Sequence, residues 1–306
     1  MDHDTAGADE GVTVALEHVT KVYSGGAGVH DLNFAIRTGE VFGFLGPNGA
    51  GKTTTIRLIL DLIRPTSGKI KVFGLDSRSD CVQIHRRVGY LPGDLALYER
   101  LSAREILTHF AHLRGGLAWS SVEKYVLAFD LDVDRAVRTL SKGNRQKVGL
   151  VAAMMGDPDF LLLDEPTSGL DPLVQLQVRE ELRRAANEGR TVLLSSHDLA
   201  EVGEMADRVG LIREGRLIAI EDVDKLQERS AHLVDARFRT PQDVTEITSL
   251  AGVTSHSVDG LHMHIEVAGD LNPVVGLLAR TDLEDLSIRE PTLEELFLKF
   301  YGSTHA

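Results

Sequence analysis

The chain has 306 residues, 42% of them hydrophobic, and a formal net charge of −13. That length suits one large domain plus a small one, and the acidic balance argues against broad electrostatic binding to nucleic acid or to an anionic lipid surface. A single cysteine, Cys81, excludes an internal disulfide, fits a reducing cytosol and reads as a packing residue; no apolar run is long enough to span a bilayer.

Residues 1–11 are acidic, small and polar, which predicts a disordered tail rather than a secretory signal. Over residues 12–40 apolar and polar residues alternate, with turns at Gly25-Gly26 and Thr38-Gly39, as in antiparallel strands. Val41–Leu45 reads as a short buried strand. It runs into Gly46-Pro47-Asn48-Gly49-Ala50-Gly51-Lys52-Thr53, which matches the phosphate-binding pattern G-x-x-x-x-G-K-[ST]. In such a loop backbone N–H groups cradle the phosphates, Lys52 reaches the β- and γ-phosphates, and the Thr53 hydroxyl holds Mg²⁺. A helix is expected to open at Thr54 and run to residue 63, stopped by Pro65, with its positive dipole end toward the phosphates.

Residues 69–74 read as another strand, and helical patterns then dominate residues 84–156, with helices over 103–113, 122–129 and 145–155. The apolar run at 160–163 ends in Asp164-Glu165-Pro166; a helix over 173–187 and a second buried strand over 191–196 follow, the latter ending at His197. Continuous apolar strands alternating with helices predict an α/β domain with a parallel sheet covered on both faces. From about residue 230 the pattern changes to strand 232–239, helix 241–250, a hairpin of 253–258 and 261–267 around Asp259-Gly260, helix 272–279 and strand 283–289. That β-α-β-β-α-β order predicts a small α+β domain of ferredoxin-like type. Thr292 and Glu295 form a capping box for a final helix carrying Leu296, Phe297 and Phe300.

Two acids at the end of an apolar strand suit a phosphate site. Asp164 is placed to hold Mg²⁺ and Glu165 to polarise an attacking water, while His197 at a neighbouring strand end is placed to meet the γ-phosphate and that water. Between them, Leu140-Ser141-Lys142-Gly143-Asn144 heads a helix as an anion site.

With these motifs in this order, residues 12–227 resemble the nucleotide-binding subunit of an ABC transporter. The resemblance implies a P-loop ATPase with an antiparallel β subdomain, a helical subdomain over about 86–158, and a domain boundary at 229/230. Ser141, Lys142, Gly143 and Asn144 stand where the family's signature binds the γ-phosphate held by the opposite subunit, with Lys142 in place of a glycine and Asn144 in place of a glutamine. Tyr23 matches the aromatic that stacks on adenine, and Ser168, Gly169 and Asp171 match a dimer-contacting loop. Gly93 stands where the family has a glutamine that touches Mg²⁺ and relays occupancy to the membrane subunit, with Asp94 beside it as a carboxylate substitute. The tail from Glu290 to Phe297 resembles the ending of ATPase subunits of ABC-2-type exporters, among them drug and antibiotic resistance pumps.

The implied protein binds ATP and Mg²⁺, pairs with a second copy of itself and with integral membrane permease subunits on the cytoplasmic face of the membrane, and takes no nucleic acid. Two other readings stay open at this stage. One is a soluble ABC-type ATPase acting on ribosomes or DNA, against which stand the single phosphate loop and the lack of sustained heptads. The other is a weakly hydrolysing ATP-dependent regulator, suggested by Gly93, Lys142 and Asn144.

Overall fold

A computed structural model describes residues 11–228, 231–292 and 295. Contacts divide the chain into two compact units, Met1–Glu221 and Asp222–Ala306.

The first unit begins with β1 (Val12–Val22), β2 (Gly28–Arg37), β3 (Val41–Leu45), α1 (Lys52–Ile59), β4 (Ser67–Val72), β5 (Leu75–Asp76), α2 (Cys81–Arg86) and β6 (Val88–Leu91). Three helices follow, α3 (Ala103–Leu113), α4 (Trp119–Ala128) and α5 (Lys142–Met154). The chain then returns to the sheet with β7 (Phe160–Asp164), α6 (Pro172–Asn187), β8 (Thr191–Ser196), α7 (Leu199–Gly203), β9 (Arg208–Arg213) and β10 (Arg216–Asp222).

These strands form two sheets. The outer one has the order β2-β1-β4-β5 with antiparallel pairing, as the alternating pattern of residues 12–40 requires. The central one has the order β10-β9-β3-β8-β7-β6 and is parallel from β9 through β6. Its strands β3, β7 and β8 are buried at every residue, which is why each is built on a continuous apolar run, 41–45, 160–163 and 192–194. Phe34 of the outer sheet stacks on Phe42 and Phe44 of the central one at 5.7 and 5.6 Å, joining both layers in one core.

The register fixes the site. Leu45 pairs with Ser196, and Asp164 pairs with Ser195, so β3, β7 and β8 end at one level. In a parallel sheet that carboxyl edge is where ligands bind. The helical segment is held by local devices. Ser102 and Glu105 form a capping box ahead of α3, whose Ala103, Ile106, Leu107 and Ala111 are buried.

Two expected helices are shorter. The helix after the phosphate loop starts at Lys52 and ends at Ile59, and Asp61 at φ +54° closes it before Pro65. The helix expected over residues 241–250 is the single turn α9 (Thr245–Thr248). Asp243 accepts from both the N–H and the hydroxyl of Thr245, starting the turn there, while Gln242 bonds back to Thr240.

The second unit opens with α8 (Val223–Glu228), ahead of the 229/230 boundary read from the sequence. It continues with β11 (His232–Phe238), α9, β12 (Val253–Asp259), β13 (His262–Val267), α10 (Asn272–Leu278) and β14 (Leu283–Arg289). The antiparallel sheet has the order β12-β13-β11-β14, the arrangement of a ferredoxin-like split βαβ unit. Val234, Ala236 and Phe238 of β11 and Met263, Ile265 and Val267 of β13 share its core with Ile247, Val274 and Leu278. The Thr292–Glu295 capping box is formed. Leu296, Phe297 and Phe300 lie outside the described residues.

Candidate functional site

A cleft of about 430 Å³ opens at the carboxyl edge of the central sheet. Tyr23, Pro47, Asn48, Gly49, Gly51, Lys52, Thr53, Thr54, Gly93, Asp164, Glu165 and Ser168 line it, together with Ala27 and Gly28.

The loop between β3 and α1 is built so that its backbone faces this cleft. Gly51 sits at φ +112°, a conformation an L side chain resists, and it lets α1 start directly at Lys52. Lys52 is buried; its ammonium donates to the Gly46 carbonyl at 2.5 Å and the Pro47 carbonyl at 3.4 Å, and lies 3.5 Å from Glu165 Oε1. Gly46 and Ala50 stand beneath the lining, with Ala50 buried and its carbonyl accepting from Gly215.

Asp164 ends β7 with 2% of its surface exposed. Its Oδ2 accepts from Thr53 Oγ1 at 2.7 Å and its Oδ1 from Ser195 Oγ at 2.5 Å. A buried carboxylate needs such donors. The next residue, Glu165, has φ +52°, uncommon for a side-chain-bearing residue. Its N–H is held by the Ser195 carbonyl at 3.2 Å and hydroxyl at 3.1 Å, and its carbonyl accepts from Gln146 Nε2 at 3.1 Å. This turn swings the Glu165 carboxylate toward His197, whose Nδ1 lies 2.8 Å from Oε2. Burial pushes the Tyr90 phenol above its usual range, and the Asp164 charge adds to the rise.

Ser195 and Gln146 were missed in the sequence as site residues. The available signal was a serine following the apolar run 192–194 in a fully buried strand, and a glutamine on the buried side of α5.

The expected residues separate into two places. Tyr23 lines the cleft, 40% exposed, with the Lys21 ammonium 5.4 Å from its ring centroid. Gly93 lines it beside Asp164; a β-carbon built there would sit 3.0 Å from Asp164 Oδ2. Asp94 is exposed and is not among the lining residues. Ser141, Lys142, Gly143 and Asn144 are also outside the lining, at the start of α5, where the Ser141 hydroxyl accepts from the Asn144 N–H. Asp171 caps α6 by accepting from the Val174 N–H.

Residues 29–168 match the ABC transporter family. The chain is 33% identical over 308 residues to the daunorubicin resistance ATP-binding protein DrrA3 of Streptomyces coeruleorubidus, covering 96% of this chain and 97% of that protein. The chain belongs to the ABC transporter ATP-binding proteins. This ABC ATP-binding protein is also 32% identical over 293 residues to the bacitracin transport ATP-binding protein BcrA of Bacillus licheniformis, covering 93% and 95%. A solved ATP-binding subunit of an ABC transporter superposes with a TM-score of 0.65 at 29% identity, over 70% of this chain and 92% of that one. An ABC ATP-binding protein is an ATPase.

Proposed function

We propose that this ABC ATPase drives export through a separate membrane permease, and that two copies close head to tail on two ATP molecules. One observation carries the shared site: the phosphate loop, Asp164 and Glu165 line one cleft, with His197 bonded to Glu165 beside it, while Ser141 and Gly143 stand outside its lining. The cleft is therefore open on the side where a second copy can bring those two residues to the γ-phosphate.

Tyr23 then stacks on adenine, the N–H groups from Gly46 to Thr54 cradle the phosphates, and Lys52 exchanges its carbonyl partners for phosphate oxygens. That exchange removes the lysine from Glu165 and leaves the carboxylate to orient and deprotonate the attacking water, with His197 holding it from the other side. Thr53 and Asp164 offer a hydroxyl and a carboxylate oxygen 2.7 Å apart at the cleft, a hard-oxygen set that fits Mg²⁺. When bound, Mg²⁺ neutralises phosphate charge. Gly93 supplies no side chain to that shell, and any β-carbon there crowds Asp164.

Among the described residues no helix is long and apolar enough to cross a membrane, so a partner must supply the pathway. Two adjoining grooves that share His85 and Arg114 present the exposed side chains Leu62, Val82 and Leu113, and we assign them to a cytoplasmic segment of the permease. The named relatives are a bacitracin transport and a daunorubicin resistance ATP-binding protein, which favours a drug, antibiotic or lipid-like cargo and a place at the cytoplasmic face of the membrane.

Glu165→Gln is the test. It should bind ATP, lose about two to four orders of magnitude in hydrolysis, and accumulate as an ATP-bound dimer by light scattering. Hydrolysis at the wild-type rate would remove Glu165 from the mechanism. A wild-type enzyme that binds ATP yet stays idle with membranes containing its permease would favour the regulator reading instead.

A further inference from the structure

We infer that Gly93 is a positioning residue for the cation-holding carboxylate: its bare Cα is the wall against which Asp164 is set, and any side chain there, a glutamine included, weakens the metal-linked part of ATP binding. The inference rests on the Thr53–Asp164 cation site proposed above. It reverses the sense of the departure at this position, from a ligand that is lost to a ligand that is kept out.

The backbone gives no reason for a glycine at position 93. Unlike Gly49 at φ +81° and Gly51 at φ +112°, Gly93 lies outside the left-handed region, so its backbone suits any L residue. The demand comes from one neighbour. The three atoms nearest a built β-carbon all belong to Asp164: Oδ2 at 3.0 Å, Cγ at 3.2 Å and Cβ at 3.6 Å. Leu91 of β6 pairs with Leu163 of β7, which carries the chain past the end of β6 and sets Gly93 beside Asp164.

Asp164 yields only at a cost. It is 2% exposed, with Oδ1 held by Ser195 Oγ at 2.5 Å and Oδ2 by Thr53 Oγ1 at 2.7 Å. Oδ2 is also the atom nearest the built β-carbon. A side chain at position 93 therefore presses on the oxygen that would share a cation with the Thr53 hydroxyl. Turning the carboxylate away lengthens one of its two hydrogen bonds inside a buried site. Gly93 and Asp164 both line the cleft, so the bare Cα leaves this flank of the carboxylate uncovered. A glutamine here places its own β-carbon against Oδ2 before its amide reaches any cation. Asp94 is exposed and outside the lining, so it does not stand in as a ligand. The 92–94 loop of this chain thus bears on the cation through its packing on Asp164.

The test uses the full chain and a non-hydrolysable ATP analogue, titrated by calorimetry in Mg²⁺ and in EDTA. The ratio of the two affinities is the metal-linked part of binding. Gly93→Ala should lower that ratio about tenfold, the scale of strain from extra carbon in a closed site. Its affinity in EDTA and its melting temperature should stay close to wild type. Gly93→Gln should lower the ratio at least as far, and Mn²⁺ bound with the analogue, followed by electron paramagnetic resonance, should weaken in the same order. A ratio in the Gly93→Gln protein equal to wild type or above it would overturn the assignment and leave the cation site standing. Equal losses in Mg²⁺ and EDTA with a lowered melting temperature would also overturn it, and make Gly93 a general packing position. If wild-type affinity is the same in both solutions, the Thr53–Asp164 cation site falls and the role of Gly93 falls with it.

Discussion

The strands β7 and β8 carry a charged cluster at each end, and the two clusters are built differently. At the carboxyl ends, Lys52, Asp164 and Glu165 line an open cleft with His197 against Glu165, and Lys52 is held mainly by backbone carbonyls. At the amino ends, Arg190 donates to Tyr125 Oη and to Asp157 Oδ1, each at 3.1 Å, and to Glu188 at 2.5 Å. Tyr125 and Lys124 of α4 also donate to Asp157, at 2.6 and 2.5 Å. The second cluster is closed on itself and ties the helical segment to the sheet. The first keeps groups whose best partners come from a ligand. Similar residue types thus serve binding at one end and cohesion at the other, and the presence of a cavity decides which.

Substitutions at the two ends should separate these roles. The largest effect is expected from Lys52→Ala, which should reduce ATP affinity by about two orders of magnitude in a fluorescent-nucleotide titration and leave the melting temperature close to wild type. Ser195→Ala should move both properties. It removes a donor from a buried carboxylate, so stability should fall by about 1–3 kcal/mol in urea, and hydrolysis per folded molecule should drop as Asp164 and Glu165 lose their support. Tyr125→Phe belongs to the other end; it should cost about 1–2 kcal/mol with ATPase activity per folded molecule unchanged. Loss of activity without loss of stability there would erase the contrast.

The smallest effect is one of pH. Burial alone would raise the Asp157 carboxyl, but the hydrogen bonds from Lys124 and Tyr125 outweigh it and hold the group below its ordinary value of 3.8. A depressed folded pKa contributes stability above the unfolded value and loses it as the pH falls through the folded one. The stability gap between wild type and Asp157→Asn should therefore be constant near neutrality and close below about pH 4, measured by urea titration at each pH.

Much of this was legible in the chain. The runs at 41–45, 160–163 and 192–194 are apolar on both faces, so their burial in a parallel sheet followed from composition alone. Their common level at the carboxyl edge did not, because register depends on contacts between distant segments. Ser195 illustrates the difficulty: it reads as one more strand residue until Asp164 is set beside it. The Asp164 carboxylate likewise gives a physical reason for Gly93, since the crowding at that position arises only across β6 and β7. The helix expected over 241–250 failed for a local reason, the competition of Asp243 for the backbone of Thr245.

The grip of the phosphate loop on its own lysine carries a last consequence. With the ammonium of Lys52 already bonded to the Gly46 carbonyl, a phosphate must compete with the protein for that donor. A lone phosphate group offers little beyond a replacement. A polyphosphate also reaches the loop amides and the helix end in the same event, and so wins the competition. In the proposed site, this competition favours triphosphates over free phosphate before a partner subunit arrives.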